Sequence, residues 1–177
     1  DGISRNFSAH LRVFAVRDRM SQQRDDEVPG LEETTMNVAA ILKSKGREVV
    51  TTGPNTTLLD IAEMLGKHGI GCIVITGADG KVVGIVSERD IVREIARAGP
   101  KVLKEPVASC MTKSVVTCRE ADTIERLMAE MTAHRFRHMP VVERGKLCGL
   151  VSIGDVVRMR IAEAEMEIDG ADVHVVP

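Results

Sequence analysis

The sequence predicts an α/β (α+β) fold of two β-α-β-β-α repeats packed with pseudo-twofold symmetry. Three observations carry the prediction. First, the chain contains itself twice. Val49-Val50-Thr51 and Val115-Val116-Thr117 stand 66 positions apart, and at that offset Thr57 meets Thr123, His68 meets His134 and Ile73 meets Met139. One residue then drops out of the second copy at a turn. At offset 65, GIVSERDIVR (Gly84 to Arg93) meets GLVSIGDVVR (Gly149 to Arg158), with six of ten positions identical. Second, each copy switches between strand and helix periodicity in the same order. Third, 177 residues at 44% hydrophobic content can fill a sizeable core, whereas one copy alone buries too little surface.

The elements follow in order. Residues 1–33 carry many charges (Arg17, Asp18, Arg19, Arg24, Asp25, Asp26, Glu27) around an apolar patch, Leu11 to Val16, and read as an N-terminal arm with Met20 and Met36 as alternative beginnings. Residues 34–98 hold a leading helix, Met36 to Lys45, and the first repeat. The repeat opens with a β-rich run, Val49 to Thr51. A helix starts near Thr57, with Asp60 three residues on as a capping box, and Leu58, Ile61, Ala62 and Leu65 share one face. Two strands, Cys72 to Thr76 and Lys81 to Val86, join through Asp79-Gly80, a hairpin signal. A helix from Glu88 to Arg97 closes the copy. Residues 99–110, with Gly99, Pro100 and Pro106, form a linker. Residues 111–167 repeat the pattern: a run at Val115 to Thr117, a helix starting near Asp122 with Ile124, Leu127, Met128 and Met131 on one face, strands His138 to Glu143 and Lys146 to Val151, and a helix from Gly154 to Glu167. Residues 168–177 read as a tail.

Composition excludes several function classes. Charge is balanced, 24 Lys+Arg against 26 Asp+Glu, which argues against a strongly basic nucleic-acid binder. With no Trp, no Tyr and three Phe, there is no series of stacking platforms for single-stranded nucleic acid. No apolar run approaches the roughly 18 residues of a membrane span. Nothing in the first residues resembles an export signal, and a cytoplasmic setting is expected. The cysteines Cys72, Cys110, Cys118 and Cys148 lack C-x-x-C spacing and read as reduced thiols, so no metal site is expected. None of the common hydrolase, zinc-protease or P-loop motifs occurs, which speaks against an enzyme.

The chemistry-bearing motif is Gly, two apolar residues, Ser, two variable residues and Asp: Gly84, Ser87, Asp90 and again Gly149, Ser152, Asp155. It lies where a strand hands over to a helix. A serine there sits beside free backbone N–H groups suited to an anion. An aspartate three residues on can accept two hydrogen bonds, as from the vicinal hydroxyls of a ribose. Ser-x-x-Asp is also an ordinary helix start, but its occurrence twice within a repeat favours the binding reading.

The two copies resemble CBS domains, the module named after cystathionine β-synthase. The resemblance rests on GIVSERD, GLVSIGD, the run FRHMPVV (Phe136 to Val142) and the opening VVTTGPNTTL (Val49 to Leu58). It implies a tandem pair whose cleft binds an adenosine-containing ligand (AMP, ADP, ATP, NAD(H) or S-adenosylmethionine), with a regulatory role such as energy sensing. It also implies a homodimer and a regulated protein partner. By position, it implies that Asp90 or Asp155 holds ribose hydroxyls and that Ser87 or Ser152 faces ribose or phosphate. Thr51 and Thr52 should then join Ser152 and Asp155, while Thr117 and Cys118 join Ser87 and Asp90. The start of the second strand contributes Gly71, Cys72 and Ile73 in one copy, and Arg137, His138, Met139 and Pro140 in the other. Arg137 and His138 are the expected phosphate-side cations, with Arg89 helping and Arg47 and Lys113 as weaker candidates. The Asp155 cleft, where Gly154 permits close approach, is expected to be the tighter. An interaction or dimerisation module with vestigial clefts is the alternative.

Overall fold

The protein's computed structural model describes residues 36–171; the expected arm and residues 172–177 of the expected tail lie outside them. Helix α1 (Val38–Lys45) follows the Asn37 cap, whose side chain accepts from the Ala40 N–H. The first repeat comprises β1 (Thr51–Thr52), α2 (Leu58–His68), β2 (Cys72–Thr76), β3 (Val82–Ser87) and α3 (Glu88–Ala98). Two short 3₁₀ turns, Pro100–Lys104 and Val107–Ser109, lead into α4 (Ile124–His134), β4 (His138–Glu143), β5 (Lys146–Ser152) and α5 (Ile153–Ala171). Thr57 and Thr123 cap α2 and α4 by accepting the N–H of Asp60 and Arg126. The second cap is thus one residue beyond the Asp122 start read from the sequence.

The first sheet runs β1-β2-β3, with β1 parallel to β2 and β3 antiparallel to it. The second sheet holds only β4 and β5. The expected third strand there, Val115 to Thr117, does not form; pairing shrinks to one residue, Cys118, opposite Val141. Side-chain ties hold the following segment instead of a ladder. The Glu120 N–H donates to the Glu143 carboxylate (2.9 Å), and Arg47 makes a bidentate pair with Glu120 at 2.6 and 2.8 Å.

Each repeat has its own aliphatic core, and each core is completed by the segment that precedes the other repeat. Val38, Ile41 and Leu42 of α1 pack with Ile124, Leu127, Met131, Met139, Val141, Val151 and Val156 of the second repeat. Val102 and Val107 of the presumed linker pack with Leu58, Ile61, Leu65, Ile73, Ile75, Val86 and Ile91 of the first. The bridges are equivalent too: Asn37 pairs with Thr123, and Pro106 with Thr57. The linker is therefore a shortened counterpart of α1, and Val38-Ala39 matches Val107-Ala108.

This exchange explains the glycine of the repeated motif. A Cβ on Gly149 would stand 2.7 Å from Leu42 Cδ2, and one on Gly84 would overlap the Met111 thioether. Each strand omits a side chain to admit one from the other repeat's leading segment.

Candidate functional site

The site grows from two equivalent junctions. At the β3–α3 junction, Asp90 Oδ2 accepts from the Ser87 N–H (2.9 Å) and the Ser87 hydroxyl (2.6 Å). At the β5–α5 junction, Asp155 Oδ2 accepts from the Ser152 N–H (2.8 Å) and hydroxyl (2.7 Å). Beyond this shared box the two diverge. The Asp155 side chain is buried at 7% exposure, with Lys45 Nζ at 2.6 Å and Arg158 Nη2 at 2.5 Å. Lys45 also donates to the Leu150 carbonyl at 3.1 Å. Burial alone would push the Asp155 carboxyl up; the Lys45 ammonium and the Ser152 donors outweigh it and hold the carboxyl below its ordinary value. Lys45 comes from the last turn of α1, which its 3₁₀ counterpart Val107–Ser109 is too short to possess. Asp90 meets no cation among the described residues.

Accordingly a cavity of about 370 Å³ opens at Asp90. One side comes from the first repeat: Cys72, Ile85, Ser87, Arg89, Asp90 and Arg93. The other comes from the second: Thr112, Ser114, Val115, Val116 and the run His134 to His138. That volume suits a small ligand. Ile85, Val115, Val116 and Phe136 give an apolar wall, Ser87 and Asp90 give hydrogen-bonding groups, and the arginines give positive charge. His134 stacks on Phe136, ring centres 6.3 Å apart and planes 9° off parallel.

A CBS domain model matches residues 39–97 and again 107–161, which takes in both junctions and both leading segments. The chain belongs to the CBS-domain family. A CBS-domain protein from Agrobacterium tumefaciens, ATU1752, is 45% identical with a TM-score of 0.70, covering 74% of this chain and 98% of that one. The CBS domain pair of MJ0100, solved with 5′-methylthioadenosine and S-adenosyl-L-methionine, is 25% identical (TM-score 0.65; 73% and 98% covered). The CBS protein PAE2072 from Pyrobaculum aerophilum, solved with AMP, is 29% identical (TM-score 0.62; 72% and 98% covered).

In this CBS pair, the cavity gathers Cys72, Ser87, Arg89, Asp90, Arg137 and His138 from the residues read in the sequence. Others fall elsewhere. Ile73, Cys118, Met139 and Pro140 are buried, the first three within the cores. Thr117 and Cys118 border a separate depression of about 620 Å³ with Arg119, Arg126 and Arg144, and Val115 and Val116 take their expected place beside Asp90. The Thr52 hydroxyl bonds to Thr56 (2.7 Å), and Thr51 is exposed on β1. Gly71 accommodates the His138 ring, which would lie 3.4 Å from a Cβ there. Arg47 is held by Glu120, and Lys113 is exposed between two lining residues, Thr112 and Ser114. At the cleft expected to be the tighter, Ser152 and Asp155, Lys45 pairs with the aspartate.

Arg93, Arg135 and Phe136 line the cavity without having been singled out as ligand residues. Arg93 was findable, four residues after Arg89 and so on the same face of α3. Arg135 replaces Gly69 of the first copy at the left-handed end of the helix, with φ 57° against 62°. Lys45 gave no signal, because its partner is 110 residues away.

His138 supplies a pH signature. Burial, with the nearby charges of Arg137 and Lys45, holds its imidazole below the ordinary 6.5, against the opposite pull of Asp155 and Glu88. The folded chain thus prefers the neutral ring. Stability is full above pH 6.5 and falls as pH drops toward the lower folded value. His138→Gln is expected to flatten that limb, read as urea midpoints at pH 7.5 and 5.5; equal losses in variant and wild type would contradict this.

Burial pushes the Cys72 and Cys118 thiols up to about 12. Thiolate is the reacting form, so at neutral pH the partly exposed Cys110 and Cys148 should be alkylated first. Mass spectrometry of iodoacetamide-treated protein checks the order, and early modification of Cys72 would oppose it.

Proposed function

We propose that this CBS pair is a regulatory module that binds an adenosine-containing ligand (AMP, ADP, ATP or NAD(H)) in the Ser87–Asp90 cavity. The carrying observation is that this cavity unites an apolar wall, a serine–aspartate pair free of any cation, and unpaired arginines from both repeats. In this reading the Asp90 carboxylate accepts the ribose hydroxyls, with the base against Val115, Val116 and Phe136. The solved relatives named with AMP, 5′-methylthioadenosine and S-adenosyl-L-methionine support the ligand class. Because the walls come from different repeats, a ligand bridging them favours one mutual setting, and that differential affinity is what makes binding a signal. The role is regulatory rather than catalytic, and it fits a cytoplasmic, energy-sensing chain.

The absence of Trp and Tyr makes the test simple. A purine band in the spectrum of the desalted protein, or a rise in melting temperature with added nucleotide, is expected. At a hundred times Kd the stabilisation is about 2.7 kcal/mol. If no band and no shift is found with any of the four ligands, the reading fails.

A dimer is part of the proposal. Val92 and Val157 occupy equivalent positions on α3 and α5 and are 65% and 44% exposed, with Ile161 54% exposed beside the latter. A second copy is the proposed cover for this face, because the equivalent positions of both repeats are apolar and exposed. Sedimentation of wild type against Val92→Glu should show dimer and monomer; a monomeric wild type removes the idea.

A further inference from the structure

We propose that the cavity is built for an adenosine ligand carrying two or more phosphates, in preference to a monophosphate or a cationic adenosyl compound. This rests on the reading just given and deepens it. The observation is where the unpaired arginines are. Among the described residues, Arg47, Arg97, Arg126, Arg158 and Arg160 all pair with carboxylates. Six pair with none: Arg119 and Arg144 border the depression beside Cys118, whereas Arg89, Arg93, Arg135 and Arg137 all line the one cavity at Asp90.

They come as two pairs from different repeats. Arg89 and Arg93 stand one turn apart on α3, where like charges repel, and neither forms an ion pair. Arg135 and Arg137 flank Phe136 in the turn from α4 to β4. Arg135 adopts φ 57°, a left-handed setting that glycine takes freely and arginine takes at a conformational cost. The equivalent helix end in the first repeat uses Gly69 at φ 62°. The chain thus gives up an easy helix terminus and keeps four guanidiniums unneutralised at one place. The single carboxylate lining the cavity, Asp90, forms no ion pair with any of the four and leaves the lining with an excess of positive charge.

Guanidinium forks match phosphate oxygens in pairs, and one bidentate pair satisfies a monophosphate. Arginines on two opposing elements suit a longer anionic chain. A sulfonium would add positive charge to a site that already has an excess.

The experiment is calorimetric titration of the full chain with ATP, ADP, AMP and S-adenosylmethionine, in EDTA, at low and physiological salt. ADP and ATP should bind at least tenfold tighter than AMP, and more salt-dependently; S-adenosylmethionine should bind weakest. Arg135→Gly should lose about tenfold for ATP and less than threefold for AMP, with a melting temperature unchanged or raised. That combination separates an anion-binding role from a structural one, because a structural arginine would lower stability when removed. Arg93→Gln is the second variant and should show the same ATP-selective loss. AMP binding as tightly as ATP, S-adenosylmethionine equalling either, or Arg135→Gly leaving ATP affinity intact would overturn this inference and leave the adenosine-binding reading standing. No binding of any of the four, nor of NAD(H), would remove both.

Discussion

Gly149→Val is expected to lower stability by about 2–3 kcal/mol, at the upper end of the usual cost of overpacking. The added Cβ alone would meet Leu42 Cδ1 and Cδ2 at 2.8 and 2.7 Å, and Leu42 is 1% exposed in the second core. Gly84→Val should cost less. Its clash is with the Met111 thioether, the movable end of an unbranched side chain that is only partly buried. The decisive comparison adds Leu42→Ala. That change alone leaves a cavity and costs about 2–5 kcal/mol. Combined with Gly149→Val, the new methyls occupy the space it vacates, so the double variant should be more stable than the sum of the two single losses predicts. Urea unfolding of the four proteins reads this. Strict additivity would mean that α1 does not fill the second repeat in the way described.

The two motif aspartates should respond in opposite ways. Asp90→Ala removes the acceptor of the proposed ribose pair. Two hydrogen bonds to a charged group are worth about 3 kcal/mol together, on the order of a hundredfold in affinity. Its effect on stability should stay near the roughly 1 kcal/mol of a lost helix cap. Asp155→Ala should leave ligand affinity within threefold. It should cost more stability, because it also strips Lys45 and Arg158 of their shared partner. Both cations are substantially exposed, so the ion pairs themselves contribute modestly. The sign with pH follows from the carboxyl held below its ordinary 3.8: the contribution is full at neutral pH and is lost as acid approaches the lower folded value. Equal affinity losses in the two variants would show that both clefts bind, and that Lys45 does not close the second.

The repeat made the fold legible. Hairpins, helices and both serine–aspartate boxes follow from local periodicity and capping chemistry, and they lie within a residue or two of their expected places, except that α5 runs four residues past its expected end at Glu167, into the expected tail. What stayed hidden depends on contacts between distant segments. The role of residues 99–110 as a partner of the first core is one case, since Gly and Pro there signal a linker equally well. The loss of the strand at Val115 is another; the segment after it is tied down by Glu120, whose partners Arg47 and Glu143 are distant in the chain. The Lys45 contact at the cleft expected to be the tighter was hidden for the same reason. Gly154 beside Asp155 suggested room, but Lys45 arrives from 110 residues away to pair with the aspartate. Met139 and Pro140 were carried along with His138, although alternation along β4 turns Met139 to the core.

The most direct test of the central claim is photolabelling with 8-azidoadenosine monophosphate followed by peptide mapping. Label that saturates and is displaced by AMP should appear in the peptides holding Ile85 to Arg93, Ser114 to Val116 or His134 to His138, and should vanish in Asp90→Ala. Displaceable label concentrated instead at Thr51-Thr52 and Ser152 to Asp155, or label that AMP cannot displace, would contradict the assignment of the Ser87–Asp90 cavity as the binding site.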